Sequence, residues 1–157
     1  MSDDVDAVTT AVLTASRVLV AVAARSLAAL AEPVTLPQFR LMVVLAAREP
    51  LTVTALAEQL AVNPSTAMRM IDRLAATGTV TRDVNPDVRR EHRVHLTTTG
   101  RGVVDAVTER RRTEIARIVA RMPAAQRAGL VAALRAFAAA SSEPDAPAAE
   151  LGRLGWA

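Results

Sequence analysis

The sequence contains no cysteine, no lysine and no tyrosine, and its only aromatic residues are Phe39, Phe137 and Trp156. Without cysteine the chain has no disulfide framework, no thiolate nucleophile and no thiol redox switch. It also lacks a convincing spacing of a base with a nucleophile or of two carboxylates, and it has no glycine-rich phosphate loop. An enzyme is therefore the least favoured class of protein, and we expect no cofactor.

Small aliphatic residues are abundant: 51% of the 157 residues are hydrophobic, and most of these are Ala, Leu or Val. A chain of this length can bury one core, and this composition suits helix packing better than a sandwich of strands. The amino terminus is acidic, unlike a secretory signal, and the apolar run 18–24 is short and flanked by Arg17 and Arg25. We therefore predict a mostly α, cytoplasmic protein with no membrane partner.

Charge is unevenly distributed along the chain. All 19 basic residues are arginine, and six of the 16 acidic residues lie in the first ten or the last seventeen positions. Residues 11–140 hold 18 arginines and 10 acidic residues, so this body carries about +8 between two acidic ends. Such a field favours a polyanion as the partner.

Both ends of the chain predict long helices with an apolar face. Over 5–30, apolar residues recur at alternating steps of three and four and form one stripe, which contains Val5, Val8, Val12, Ala15, Leu19 and Val22. A second long helix is predicted from Thr98, and a last one begins near Pro123 with the apolar residues Leu130, Val131, Leu134 and Phe137. These stripes are too apolar to be left in water, so we predict a homodimer built from the two chain ends.

The central part of the chain predicts three shorter helices. Thr35 and Gln38 form a capping-box pattern at the start of a helix over 36–47, whose apolar set is Leu36, Phe39, Met42, Val43 and Leu45. A short extended segment at 51–53 then leads to a helix with Leu56, Ala57 and Leu60 inside. After a tight turn, Asn63 is a good N-cap and Pro64 suits the first helical position of a helix that ends near Ala76.

Residues 79–84 and 92–97 alternate between apolar and polar side chains, which predicts a hairpin with the long basic loop NPDVRRE. Two short helices joined by a tight turn form a helix-turn-helix, and the hairpin after them makes it winged. The predicted order is α-α-β-α-α-β-β-α-α. His92 and His95 lie three apart on a strand and point to opposite faces, so we predict no metal site.

Residues 51–97, LTVTALAEQLAVNPSTAMRMIDRLAATGTVTRDVNPDVRREHRVHLT, with LPQF before them and TTGR after, resemble the MarR family of bacterial transcriptional regulators. The similarity includes ST opening the fourth helix, DRL at its end, RR on the wing, and LT followed by Gly100. It implies a winged DNA-binding domain at 35–97 and a helical dimerisation region at 1–34 and 98–140, and we interpret 141–157 as a flexible tail. Where the family has Asp immediately before the wing arginines, this chain has Val88.

The outer face of the fourth helix is the candidate DNA-reading surface. Ser65 and Thr66 lie in its first turn, where hydroxyls and backbone N–H groups can meet phosphate. Arg69 can contact guanine through two hydrogen bonds, and Met68 can lie against a thymine methyl. Arginines on the wing suit a narrow minor groove or phosphate. The predicted DNA-binding residues are Asn63, Pro64, Ser65, Thr66, Met68, Arg69, Arg73, Arg82, Arg89 and Arg90.

Ordinary structural roles compete with DNA contact at several of these positions. Ser65 and Thr66 can simply cap the helix, Met68 can fill a partly buried gap, and Arg73 can pair with a neighbouring residue such as Asp72. The two loop arginines can lie on a solvated turn. The run RRR at 110–112 is interpreted as a solvated arc of the fifth helix.

We therefore predict a homodimeric repressor that binds double-stranded DNA and is released by a small ligand. The alternative is a winged-helix protein-interaction module whose basic face meets an acidic partner, and sequence-selective, salt-dependent binding to duplex DNA separates the two. The family resemblance implies that a small aromatic or amphipathic acid binds where the dimerisation helices join the winged domain. The candidate ligand-binding residues there are Leu13, Arg17, Phe39, Arg40 and Val43.

Overall fold

The computed structural model describes residues 2–48, 50–84 and 92–140, and these form six helices and three strands in the predicted order. The helices are α1 (Ser2–Ala28), α2 (Leu36–Arg48), α3 (Val53–Gln59), α4 (Pro64–Ala76), α5 (Thr98–Ala120) and α6 (Ala124–Ala140). The strands are β1 (Leu51–Thr52), β2 (Val80–Val84) and β3 (His92–Leu96). The predicted mostly α, winged helix-turn-helix fold is confirmed. The predicted tail, 141–157, and the predicted wing loop, 85–91, lie outside the described residues.

Side-chain caps set the starts of the helices. At α2 the predicted capping box forms, because the Thr35 N–H donates to Gln38 Oε1 at 2.9 Å and the Gln38 N–H donates to Thr35 Oγ1 at 3.4 Å. The Thr52 hydroxyl caps α3 by accepting from the Ala55 N–H at 3.1 Å. Between α3 and α4 the chain reverses through Ala61, whose φ of 53° lies in the left-handed region.

The wing is a small antiparallel sheet with the strand order β1-β3-β2. The predicted hairpin of β2 and β3 is present, with Val80 opposite Leu96 and Arg82 opposite Val94. The strand β1 completes the sheet by placing Leu51 opposite Val94. The sheet therefore joins the segment before the helix-turn-helix to the wing that follows it.

The core lies where α2, α3, α4, α5 and the sheet meet, and its fully buried side chains include Phe39, Leu41, Met42, Leu45, Leu56, Ile71, Val94, Val104 and Val107. The apolar set predicted for α2 is wrong at one position, because Leu36 is 40% exposed. Leu41, which the pattern did not select, is fully buried. Residue 36 is in the first position of α2, outside the turns that contact the core.

The predicted solvated arc at 110–112 is also wrong in part. Arg110 and Arg112 are exposed, but Arg111 is only 8% exposed on the buried side of α5. Loss of water around its guanidinium lowers the pKa of Arg111. The buried side of α5 therefore carries a cation next to Val104 and Val107, which a pattern of apolar residues does not reveal.

Large apolar side chains remain exposed on the two terminal helices. Along α1 they include Val5, Val8, Leu13 and Leu19, whereas Val22 and Leu27 near its end are buried. The helix α6 buries no residue, and Val131, Leu134 and Phe137 are each more than half exposed. Of the six residues predicted to form the α1 stripe, Val22 is the one that the single chain buries.

Among the described helices, α1 is long and apolar enough to cross a membrane by its length and composition. The same properties suit a helix that packs against protein on two sides. Because α1 packs on α5 and α2 near its carboxyl end, this criterion does not by itself place α1 in a membrane.

Candidate nucleic-acid interface

The amino-terminal turn of α4 is held by a small hydrogen-bond network. Asn63 has extended backbone angles, and its Oδ1 accepts from the Thr66 N–H at 2.8 Å and from the Ser65 hydroxyl at 2.7 Å. Pro64 fills the first helical position, where its missing N–H costs no hydrogen bond. The predicted N-cap is therefore confirmed, and both hydroxyl residues lie beside it at the positive end of the helix dipole.

The outward side of α4 is polar and the inward side is apolar. Ala67, Ile71 and Leu74 are buried, while Ser65, Arg69, Asp72 and Arg73 are exposed and Thr66 and Met68 are half-buried. The Arg69 guanidinium donates from Nη2 to Thr66 Oγ1 at 3.1 Å. The side chain of Arg69 is thereby directed along the exposed face toward the start of the helix.

The first wing strand is connected to this face through Arg82. Its Nη1 lies 3.0 Å from Asp72 Oδ1 and 3.2 Å from Met68 Sδ. The predicted alternative partner for Arg73 is therefore not Asp72, and within residues 2–48, 50–84 and 92–140 Arg73 has no ion pair. The structure thus brings Met68, Asp72 and Arg82 together. Sequence reasoning named Arg82 only as a phosphate candidate, because the distance between α4 and β2 is not visible in the chain.

A group of threonines that the sequence analysis did not select joins α4 to α5. The Thr79 hydroxyl donates to the Leu74 carbonyl at 2.9 Å, and the Thr97 hydroxyl donates to the Gly78 carbonyl at 2.7 Å. Thr97 also caps α5 by accepting from the Gly100 N–H at 3.0 Å. These hydrogen bonds therefore join the end of α4 to the start of α5. In the sequence, the TTTG stretch before Arg101 is the feature that could have indicated this joint.

The loop residues Arg89 and Arg90, and also Val88, lie outside the described residues. On the described part of the wing, His95 Nε2 lies 3.3 Å from Asp83 Oδ2, while His92 is exposed near the strand end. Within the described ranges no group of three or more His, Cys, Asp or Glu side chains could hold a metal ion.

The five candidate ligand-binding residues have different surroundings. Phe39 and Val43 are in the core, whereas Leu13, Arg17 and Arg40 are exposed. None of the five lines either of two prominent grooves on the described part of the chain. One groove, of about 410 Å³, lies between the end of α1 and the start of α2 and is mostly apolar. The other, of about 540 Å³, lies between α1 and α5 and is rich in arginine.

Comparison with known proteins agrees with this architecture. The sequence model of the MarR family matches residues 34–92. No curated protein matches the chain. The crystal structure of RV1404 from Mycobacterium tuberculosis is 51% identical with a TM-score of 0.81, and the match covers 90% of this chain and 96% of that chain.

Two more distant structures share the fold. A MarR family protein from Bacillus stearothermophilus is 22% identical with a TM-score of 0.78, over 87% of this chain and 94% of that chain. A mutant of MepR from S. aureus bound to an oligodeoxyribonucleotide is 19% identical with a TM-score of 0.65, over 83% of this chain and 95% of that one.

Proposed function

Because this chain is a DNA-binding transcriptional regulator that belongs to the MarR family, we propose that it acts as a homodimeric repressor and that a small ligand releases it from its operator. DNA binding in this proposal is supported by the exposed face of α4, where Ser65, Thr66 and Arg69 lie beside the Asn63 cap. A helix that presents hydroxyls, backbone N–H groups and arginine at its amino end fits the major groove. We also propose that the protein is cytoplasmic, which is consistent with DNA as its partner.

Each DNA contact in this proposal has a stated chemistry. Ser65 and Thr66 meet phosphate at the start of α4, Arg69 and Met68 face base edges, and Arg73 lies one turn further along. Asn63 and Pro64 set the angle at which the helix enters the groove. We assign Arg82, Arg89 and Arg90 of the wing to phosphate or the minor groove.

We expect Arg69→Ala to weaken operator binding by roughly 1–3 kcal/mol and to relax the sequence preference at particular base pairs. The physical reason is that alanine cannot make the two hydrogen bonds that Arg69 makes to one base. The neighbouring Thr66 hydroxyl does not replace both of them. The measurement is selection of bound sequences from a random library, followed by titration of the selected duplex. Arg112→Ala, which removes one exposed arginine from α5, is the matched control.

An unchanged sequence preference in Arg69→Ala would remove Arg69 from base recognition. Binding that shows neither sequence preference nor steep salt dependence in the unmodified protein would favour the protein-interaction module instead.

We expect Asp72→Asn to strengthen binding to unrelated DNA sequences by about three- to tenfold and to steepen its salt dependence by about one unit. Asp72 places a negative charge on the proposed DNA face and holds Arg82 at 3.0 Å. Removing that charge leaves Arg82 free to contact phosphate. Because the pair is exposed, stability should change by less than about 1 kcal/mol. Asp105→Asn on α5 is the control, and weaker binding in Asp72→Asn would contradict the assignment.

The dimer in this proposal is formed by α1 and α6, within the region 1–34 and 98–140. Its support is the exposed apolar surface of Val5, Val8 and Leu19 on α1 and of Leu134 and Phe137 on α6. Surface of this kind is typical of helices that pack against a second copy. Two copies place two α4 helices on one duplex, where they must lie about one DNA turn apart.

The ligand in this proposal is a small aromatic or amphipathic acid. Arg17 and Arg40 would meet its carboxylate, Leu13 would contact its ring, and the buried side chains of Phe39 and Val43 would support the pocket from the core. Since Leu13, Arg17 and Arg40 are exposed in the single chain, such a pocket needs the second copy as a wall.

We expect a salicylate-like compound to weaken operator binding about tenfold, which requires about 1.4 kcal/mol of differential affinity for the two states. Arg17→Ala or Arg40→Ala should reduce this response and leave DNA affinity without ligand nearly unchanged, whereas Arg135→Ala should respond like the unmodified protein. The measurement is DNA titration across a panel of aromatic acids. If no acid in the panel shifts the melting temperature of the protein or its DNA affinity, the ligand proposal is wrong and the protein is a ligand-independent repressor.

A further inference from the structure

The groove between α1 and α5 is lined by Arg25 and Ser26 from α1 and by residues of the second half of α5. Four of its lining residues are arginines and two are glutamates, which leaves the groove with a net charge of +2. Its volume of about 540 Å³ lies within the usual range for small-molecule sites. None of the residues that we assign to DNA or to the aromatic acid lines it.

The positive charges in this groove are only partly balanced. Arg25 donates from Nε to Glu114 Oε1 at 2.8 Å, so this glutamate is already engaged. By contrast, Arg110, Arg117 and Arg121 form no ion pair with any residue that the structure describes. Arg117 is in the last turn of α5 and Arg121 is its C-cap four residues later, so their like charges repel each other. A bound anion would relieve this repulsion.

The groove also offers hydrogen-bond donors that suit an anion. An arginine presents parallel N–H donors that match a carboxylate or phosphate group with two hydrogen bonds. The Thr113 hydroxyl, also on the wall, supplies a neutral donor.

We propose that this groove binds a compact anion that carries two or more carboxylate or phosphate groups. Arg110, Arg117 and Arg121 hold the charged groups, and the ion pair of Arg25 with Glu114 closes one side. The inference goes beyond the proposed function, because it concerns a second ligand class at a separate place.

A small anion fits this position better than the duplex read by α4. Thr97, at the start of α5, is joined to the end of α4, whereas the groove spans residues 109–121 of α5. At 1.5 Å per residue the groove lies roughly 18–36 Å along α5 from that joint. The groove therefore lies along the second half of α5, away from the α4 surface.

The test is calorimetric titration of the full chain with citrate or pyrophosphate at constant ionic strength, without DNA, and with acetate as the monovalent control. We expect one site per chain for citrate, pyrophosphate or both, and none for acetate. The Arg117→Gln, Arg121→Gln double variant should bind at least tenfold more weakly. The matched double variant Arg112→Gln, Arg135→Gln removes the same charge from exposed positions outside the groove and should stay within twofold of the unmodified protein.

Circular dichroism of both double variants controls for folding. Citrate tests recognition of carboxylate groups and pyrophosphate tests recognition of phosphate groups, and binding of either supports the proposal. The proposal would be overturned if the two double variants bound citrate and pyrophosphate with equal affinity. It would also be overturned if acetate produced the same binding heats. A groove variant that loses DNA affinity while the unmodified protein binds neither anion would assign the groove to DNA instead. Since the titration contains no DNA, its result is independent of whether the repressor proposal holds.

Discussion

Replacing Leu134 and Phe137 of α6 by glutamate should convert the proposed dimer into a monomer and weaken operator binding more than about a hundredfold. Both side chains are 56% exposed in the single chain and lie on the same side of a helix that buries no residue of its own. Each is a little over half exposed, so burying the rest of it in a dimer contributes roughly 1–2 kcal/mol, and a symmetric interface contains each of them twice. Glutamate removes that gain and places unpaired charges in the interface.

Analytical ultracentrifugation and titration of a palindromic operator would measure the two effects. The matched control is Ala132→Glu with Ala136→Glu, which adds the same charge to the opposite side of α6 and should leave a DNA-binding dimer. The proposed interface would be wrong if the first variant sedimented as a dimer and bound the operator as before.

Gly100→Ala should lower the free energy of unfolding by roughly 2–4 kcal/mol, although alanine is the better helix former. A Cβ at residue 100 would lie 2.1 Å from the Thr79 carbonyl oxygen and 2.7 Å from Leu96 Cδ1. The Thr79 carbonyl is a backbone group that also accepts from the Thr97 N–H at 3.1 Å, so it cannot move without breaking the joint between α4 and α5. Either α5 shifts away from the wing or that hydrogen bond is lost.

Gly102→Ala is the control for Gly100→Ala, because it is in the same helix but a Cβ there meets nothing within 4 Å. At this position alanine should stabilise the protein by about 0.5–1 kcal/mol through its helix propensity. Urea unfolding at fixed protein concentration measures both variants. Equal and positive changes in stability at the two positions would show that α5 does not approach Thr79 closely.

The starts of the central helices were predictable from neighbouring residues. Thr35 with Gln38, and Asn63 with Pro64, mark helix starts because the capping atoms and the N–H groups that they satisfy lie within three residues of one another. The outer face of α4 was predictable for a similar reason, since a helical period places Ala67, Ile71 and Leu74 on one side.

Contacts between elements that are distant in the chain were predicted less well. Asp72 proved to pair with Arg82 rather than Arg73, and β1 proved to pair with β3 across more than 40 residues of sequence. Neither contact produces a periodic signal, because each depends on how α4 and the hairpin are placed. The joint of Thr79 and Thr97 was missed for the same reason.

The sequence by itself determined the order of the elements, the caps of α2 and α4 and the apolar stripes of α1 and α6, because these follow from interactions within a few residues and from helical periodicity. Only the tertiary structure decided that Arg111 is buried while Arg110 and Arg112 are exposed, that Leu41 replaces Leu36 in the core, and that Gly100 touches Thr79. In each case the residue type permits either environment, and the packing of α5 and α2 against the rest of the chain selects one of them.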